Sequence, residues 1–123
     1  MSDRRRRGML CDMSTRTKPQ ITVSPDVEDI EIAFSVLTTG QLAQTAVMRL
    51  AQGEESGPLA NEHPRSEQVL YVVRGEVEGE IGDEHVVVRQ GESVIVPREV
   101  PHRFVNRKAE IAITFNVYTP PAY

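Results

Sequence analysis

"GESVIVPREVPHRFVN", residues 91–106, is the stretch whose reading decides the fold. A short β-branched run, "SVIVP", leads past Pro97 and Pro101 into "HRFVN". The two prolines hold their own φ near −65° and stiffen the turn that presents His102. Side chains two apart on an extended strand leave on one face, so His102, Phe104 and Asn106 share a face, with Phe104 as its apolar wall. Two readings of His102 are open at this point. It is a metal ligand, or it is a hydrogen-bonded structural histidine near the core of a small β-protein.

The strand-like pattern runs outward from there. "EVEGEI" (76–81) alternates Glu76, Glu78 and Glu80 with Val77, Gly79 and Ile81, a period of two with one wet and one buried face. Gly82-Asp83 then offers a tight hairpin turn into "HVVVR" (85–89). Similar short runs occur at 30–37, 43–51, 68–74, 93–97, 102–106 and 111–118, and Gly, Pro, Asn or Asp punctuates most of the joins. No window of a dozen residues carries a helical stripe. Many short strands at close spacing predict an all-β sandwich or barrel. Tyr71, Val73, Phe104 and Phe115 are then expected in the core or at a subunit contact, since strand aromatics usually serve packing.

One connection is long: "GEESGPLANEHPRSE", residues 53–67, polar and ending beside the strand that starts at Gln68. A loop of that length inside a compact domain is usually functional or disordered. It carries His63. The third histidine, His85, stands next to the Gly82-Asp83 turn and reads as a surface residue, as do Arg49, Arg65 and Arg103.

The chain of 123 residues suits one domain with one hydrophobic core, and its formal charge is −4. Residues 1–18 carry six basic and two acidic side chains against eight and sixteen in the remainder. A basic leader, expected to be disordered, therefore precedes an acidic body at 19–123. An acidic body repels phosphate backbones, so nucleic acid is not an expected partner. No apolar run is long enough to cross a membrane as a helix. "MSDRRRRGML" runs into Cys11 and Asp12, which is not the pattern of a secretory signal. With Cys11 the sole cysteine, no internal disulfide can form, and a reducing, cytoplasmic location is the expectation.

Gly91, Pro97, Glu99, His102 and Asn106 together resemble the second motif of the cupin superfamily, in which glycine usually stands where this chain has Glu99. Upstream, "NEHPRSEQVLYVVRGE" (61–76) resembles the first cupin motif: two histidines one residue apart, then Glu or Gln, then glycine seven positions on. With that glycine at Gly75, Gln68 takes the Glu/Gln position, His63 the second histidine position and Asn61 the first. The resemblance covers about residues 40–118. It implies a double-stranded β-helix, a jelly-roll-like barrel of two facing antiparallel sheets. It also implies a divalent-metal site, for Ni, Zn, Mn or Fe, built from His63, Gln68, His102 and Asn61. Where the family has three histidines and a glutamate, this chain offers two histidines and two amides, a set without charge that should bind metal more weakly. Glu62 and Glu67 neighbour these positions, but strand alternation points Glu67 away from the Gln68 face.

A fold of this kind hosts many chemistries, so the site must decide the function. Three readings stand: a metal-dependent enzyme acting on a small polar molecule in the barrel, a non-catalytic small-ligand binder, and a metal-free scaffold. No acid or base beyond the expected ligands stands out. Open strand edges and related small barrels make a homodimer the expected assembly, with the apolar strands at 30–37 and 43–51 as contacts.

Overall fold

In a computed structural model of the chain, residues 21–57, 60 and 63–123 are described. The leader at 1–18 lies outside them, as does Asn61. Eight strands follow one another: β1 (Phe34–Thr39), β2 (Gln44–Leu50), β3 (Glu67–Arg74), β4 (Glu76–Ile81), β5 (Glu84–Arg89), β6 (Ser93–Val96), β7 (His102–Val105) and β8 (Ala112–Thr119). They form two antiparallel sheets, one in the order β1-β2-β8-β3-β6 and one in the order β5-β4-β7. This is the all-β, double-stranded β-helix that the strand pattern and the motifs predict. The one helical element among the described residues is a single 3₁₀ turn, Val27–Asp29, capped by Asp26, whose carboxylate accepts from the amide of Glu28. No helix among them is long and apolar enough to cross a membrane. β1 begins later than the alternation of "IEIAFSVL" suggests, because the backbone bends at Ile32 and Ala33 just after that turn.

Alternation decides which side chains enter the barrel. Along β3, Gln68, Leu70 and Val72 are buried while Glu67 and Tyr71 are exposed; along β8, Ala112, Thr114, Asn116 and Tyr118 point inward. The facing sheets close on Met48, Leu50, Leu70, Val72, Val77, Val88, Val96, Phe104 and Ala112. Phe104 is directly paired with Gly79, and a Cβ at Gly79 would come within 2.7 Å of its ring. That glycine is the notch that admits the aromatic into the core, where fully burying such a side chain contributes about 1.5–3 kcal/mol.

Two glycines turn the chain between the sheets. Gly75, at φ +81°, swings β3 into β4, and a Cβ there would meet the carbonyl oxygen of Ile111 at 2.6 Å. Gly91, at φ +86°, sits in the β5–β6 turn and donates its amide to the carbonyl of Val72 at 2.8 Å. Both conformations are open to glycine and strained for other residues. Gly82-Asp83 makes the two-residue turn of the β4–β5 hairpin, as its sequence suggests.

Of the long connection at 53–67, residues 53–56 and 60 are paired with the main chain of residues 102–106. The Ser56 amide donates to the carbonyl of Phe104 at 2.8 Å, and Ser56 Oγ accepts from the Phe104 amide at 2.9 Å. Glu55 bridges to Val105 and Ala60 to His102. These residues lie along β7 as an irregular fourth strand of the smaller sheet.

Candidate functional site

His102 opens β7, directly paired with Ile81 on one side and bridged to Ala60 on the other. Its main chain is held from both sides, and its ring is held as well, because Nδ1 lies 2.9 Å from the carbonyl oxygen of Val100. A carbonyl only accepts, so Nδ1 carries the hydrogen and, in the neutral imidazole, Nε2 keeps the lone pair. His63 follows the segment that covers β7 and is fixed by a turn in which the Ser66 amide donates to the His63 carbonyl at 3.0 Å. The Ser66 hydroxyl donates to the carbonyl of Pro120 at 2.6 Å, which ties this turn to the far end of the chain. The two imidazoles meet with ring centroids 4.5 Å apart, and the Tyr118 ring stands edge-on to His63 at 5.0 Å.

Gln68 is third in this cluster. Its Oε1 lies 3.0 Å from His63 Nε2, and its Nε2 donates to Asn116 Oδ1 at 2.9 Å. Asn116 Nδ2 donates in turn to Thr114 Oγ1 at 2.9 Å and lies 3.4 and 3.5 Å from the carbonyl oxygens of Thr114 and Ala46. Those carbonyls can only accept, so they set which end of the Asn116 amide is NH₂. That choice sets Gln68, and Gln68 in turn presents an oxygen, not an NH₂ group, to His63. Each member is at least nine-tenths buried: His63 at 6%, Gln68 at 3%, and Asn116 and Thr114 at 0% exposure.

His63 Nδ1 lies 3.3 Å from the Ser66 carbonyl oxygen while Nε2 faces Gln68, so both ring nitrogens face acceptors. A neutral imidazole has one N–H and serves one of the two at a time. With hydrogen on Nε2 it completes the amide chain. With hydrogen on Nδ1 it turns a lone pair toward Gln68.

His63, Gln68 and His102 line one cavity. Asn61 lies outside the described residues. Among the described residues no group of three or more His, Cys, Asp or Glu is placed to hold a metal ion. Glu67 points outward, as alternation requires, and Asn106 spends its side chain on the carbonyls of Leu50 and Glu110, bracing loops rather than the site. His85 is a surface residue beside Glu78, and Arg103 is engaged by Glu80 and Glu55. Tyr71 is exposed on the outer face of the larger sheet, whereas Phe104 lies in the core.

The cavity beside these groups measures about 40 Å³ and is also lined by Ser56, Phe104, Tyr118, Phe34, Met48 and Tyr123. Thr114, Asn116 and Ser56 do not stand out in the sequence. The available signal was "IAITFNVY", in which two polar residues occupy consecutive inward positions of an otherwise apolar strand.

A family model described as a cupin domain matches residues 46–118. No curated protein matches the chain significantly. Among solved structures, BH2720 from Bacillus halodurans superposes with a TM-score of 0.73 at 21% identity, over 79% of this chain and 76% of that one. The cupin domain of Cnp3 from Schizosaccharomyces pombe gives 0.70 at 14% identity, over 80% and 70%. A Cupin 2 conserved barrel domain protein from Salinispora arenicola CNS-205 gives 0.65 at 16% identity, over 81% and 89%. At such identities the likeness is one of fold.

Proposed function

The chain belongs to the cupin-domain family, and from that premise we propose that it binds a small ligand in its barrel beside a divalent metal held by His63, His102 and Gln68. The observation that carries this reading is the shared posture of the two imidazoles. Each has Nδ1 against a main-chain carbonyl, of Ser66 at 3.3 Å and of Val100 at 2.9 Å, the outer hydrogen bond that orients a metal-ligating histidine through Nε2. The amide chain from Thr114 adds to the fit by turning the oxygen of Gln68, its only ligating atom, toward the same place. Asn61, from the first motif, is the fourth candidate.

Two imidazoles and amide oxygens suit Ni, Zn, Mn or Fe and bring no negative charge, so the site is a weak one. A divalent ion there supplies Lewis acidity to an oxygen-bearing ligand. The protein's own part is to hold the donors, exclude bulk water with Phe104 and Tyr118, and keep the His102 proton on Nδ1. Metal analysis of protein purified without chelator or affinity tag, followed by calorimetric titration with Ni²⁺, Zn²⁺ and Mn²⁺, tests the reading. Saturable one-site binding is expected, and a flat titration with all three ions removes the metal.

The alternative is a metal-free barrel that binds its ligand, or serves as a scaffold, without chemistry. One observation favours it: with the His63 hydrogen on Nε2, the chain His63–Gln68–Asn116–Thr114 is continuous in hydrogen bonds without a metal. A flat titration leaves this reading in place.

A further inference from the structure

Two spaces share part of their lining and differ in size and chemistry. The inner one, about 40 Å³, is the polar cavity of His63, Gln68 and His102. The outer one, about 200 Å³, is lined by Ala33, Phe34, Met48, Leu50 and Tyr123, with Glu55 and Ser56 as its polar groups. Phe34, Met48, Ser56 and Tyr123 line both, so a molecule can extend from one into the other.

Size limits what each can hold. One water needs roughly 10–15 Å³, and an apolar cavity of about 150 Å³ accepts benzene. The inner space therefore takes a head group of a few atoms, and the outer space takes a body the size of one ring. The outer wall is largely preformed. The ring centroids of Phe34 and Tyr123 lie 4.9 Å apart, and the Tyr123 ring stands edge-on to Tyr118 at 5.1 Å. The main chain of Tyr123 is clamped by buried Gln44, whose Nε2 donates to the Tyr123 carbonyl at 2.8 Å and whose Oε1 accepts from the Tyr123 amide at 2.8 Å. Glu55 is ion-paired with Arg103 at 3.7 Å, and most of the remaining wall is apolar.

We infer, building on the ligand-binding reading above, that the ligand is amphipathic. It has one oxygen-bearing head group, hydrogen-bonded among His102, His63 and Gln68, and one apolar body of single-ring size held by Phe34, Met48, Leu50 and Tyr123. A sugar or other polyol is disfavoured, because most of its hydroxyls would be stripped of water against Ala33, Phe34, Met48 and Leu50, which return no hydrogen bond, leaving Ser56 and the ion-paired Glu55 to serve the rest.

The test uses the full chain after chelator treatment, with benzyl alcohol and glucose as probes and ¹H–¹⁵N correlation spectra as readout. Benzyl alcohol is expected to shift the amides of Phe34, Leu50 and Ser56 saturably, and glucose to leave them in place. Ala33→Trp, which fills the outer space without touching the imidazoles, should weaken benzyl alcohol at least tenfold and leave the Ni²⁺ titration unchanged. The inference is overturned if glucose shifts the same amides in the same concentration range, if benzyl alcohol shifts none of them, or if a folded Ala33→Trp protein binds it like the parent. Should Ala33→Trp fail to fold, the two probes on the parent decide alone. Failure of the metal reading shows separately, as a flat Ni²⁺ titration of the parent, and leaves these spectra untouched.

Discussion

The imidazoles of His63 and His102 stand 4.5 Å apart, centroid to centroid, each with its Nδ1 turned to a main-chain carbonyl. One comes from the segment before β3 and the other from the first position of β7, so the pair exists only once β7 and the segment along its edge have come together. Backbone holds both rings, and each can be tested singly.

Replacing either histidine by Ala is expected to weaken Ni²⁺ or Zn²⁺ binding by more than the roughly 10- to 100-fold typical of outer-shell changes. Asn61→His should tighten it, by adding a basic nitrogen at the motif's first histidine position. Calorimetry checks both. No gain from Asn61→His would withdraw residue 61 from the site while leaving His102 in it.

Asn116→Leu cuts the amide chain between Gln68 and Thr114. It leaves the buried NH₂ of Gln68 without its acceptor, at a cost of about 1–3 kcal/mol in urea unfolding. Gln68 also becomes free to turn its amide over, so metal affinity should fall along with stability. A stability loss with unchanged affinity would show that the chain is structural alone.

Glu99, exposed and just before the Val100-Pro101-His102 turn, has a φ of +63°. The left-handed region costs a non-glycine residue about 1–2 kcal/mol, part of which glycine returns through its freer unfolded chain. Glu99→Gly should therefore stabilise the protein by roughly 0.5–1 kcal/mol. Glu99→Val should lower stability. A denaturation midpoint unmoved by either change would count against the strained turn.

Gly75 and Gly91 share a positive φ but not their surroundings. A Cβ at Gly91 meets nothing within 4 Å, whereas at Gly75 it meets main-chain oxygen at 2.6 Å. Gly91→Ala should cost about 1–2 kcal/mol, the conformational penalty alone. Gly75→Ala must also push β8's approach aside and should cost distinctly more. Equal losses on thermal unfolding would contradict this placement.

On the outer face of the larger sheet, Tyr71 is paired with Phe115, and Val69 with Val117 and Ile95. Tyr71 and Ile95 are 42% and 55% exposed, so an apolar stripe faces outward there. β2 lies inside the sheet, and among the described residues β1 is the edge strand of the pair at 30–51. We expect a homodimer by light scattering and its loss in Tyr71→Glu if the stripe is the contact. A dimer that survives Tyr71→Glu moves the contact to β1, and a monomer at every concentration ends the expectation.

The sequence by itself determined the strands and the corners. Alternation such as Val77-Glu78-Gly79-Glu80 is a local property, because a strand buried on one face must repeat every two residues. The motif glycines were legible for a similar reason: Gly75 and Gly91 stand where a backbone angle is required whatever the partners. Glu99 read as a departure from the motif, and its positive φ explains why glycine usually stands there. Tertiary structure alone decided the rest. The segment at 53–57 shows no strand period because it pairs irregularly along β7, through Ser56 and Glu55. Alternation in "IAITFNVY" puts Asn116 on the same face as Thr114 but does not say what it bonds. Its role comes from the register that sets it diagonally across from Gln68, with Leu70 directly opposite and Ala46 on its other side. Hydrogen-bond polarity then passes from the main-chain carbonyls of Ala46 and Thr114 to the face of His63, and such a direction exists only between atoms that folding has brought together.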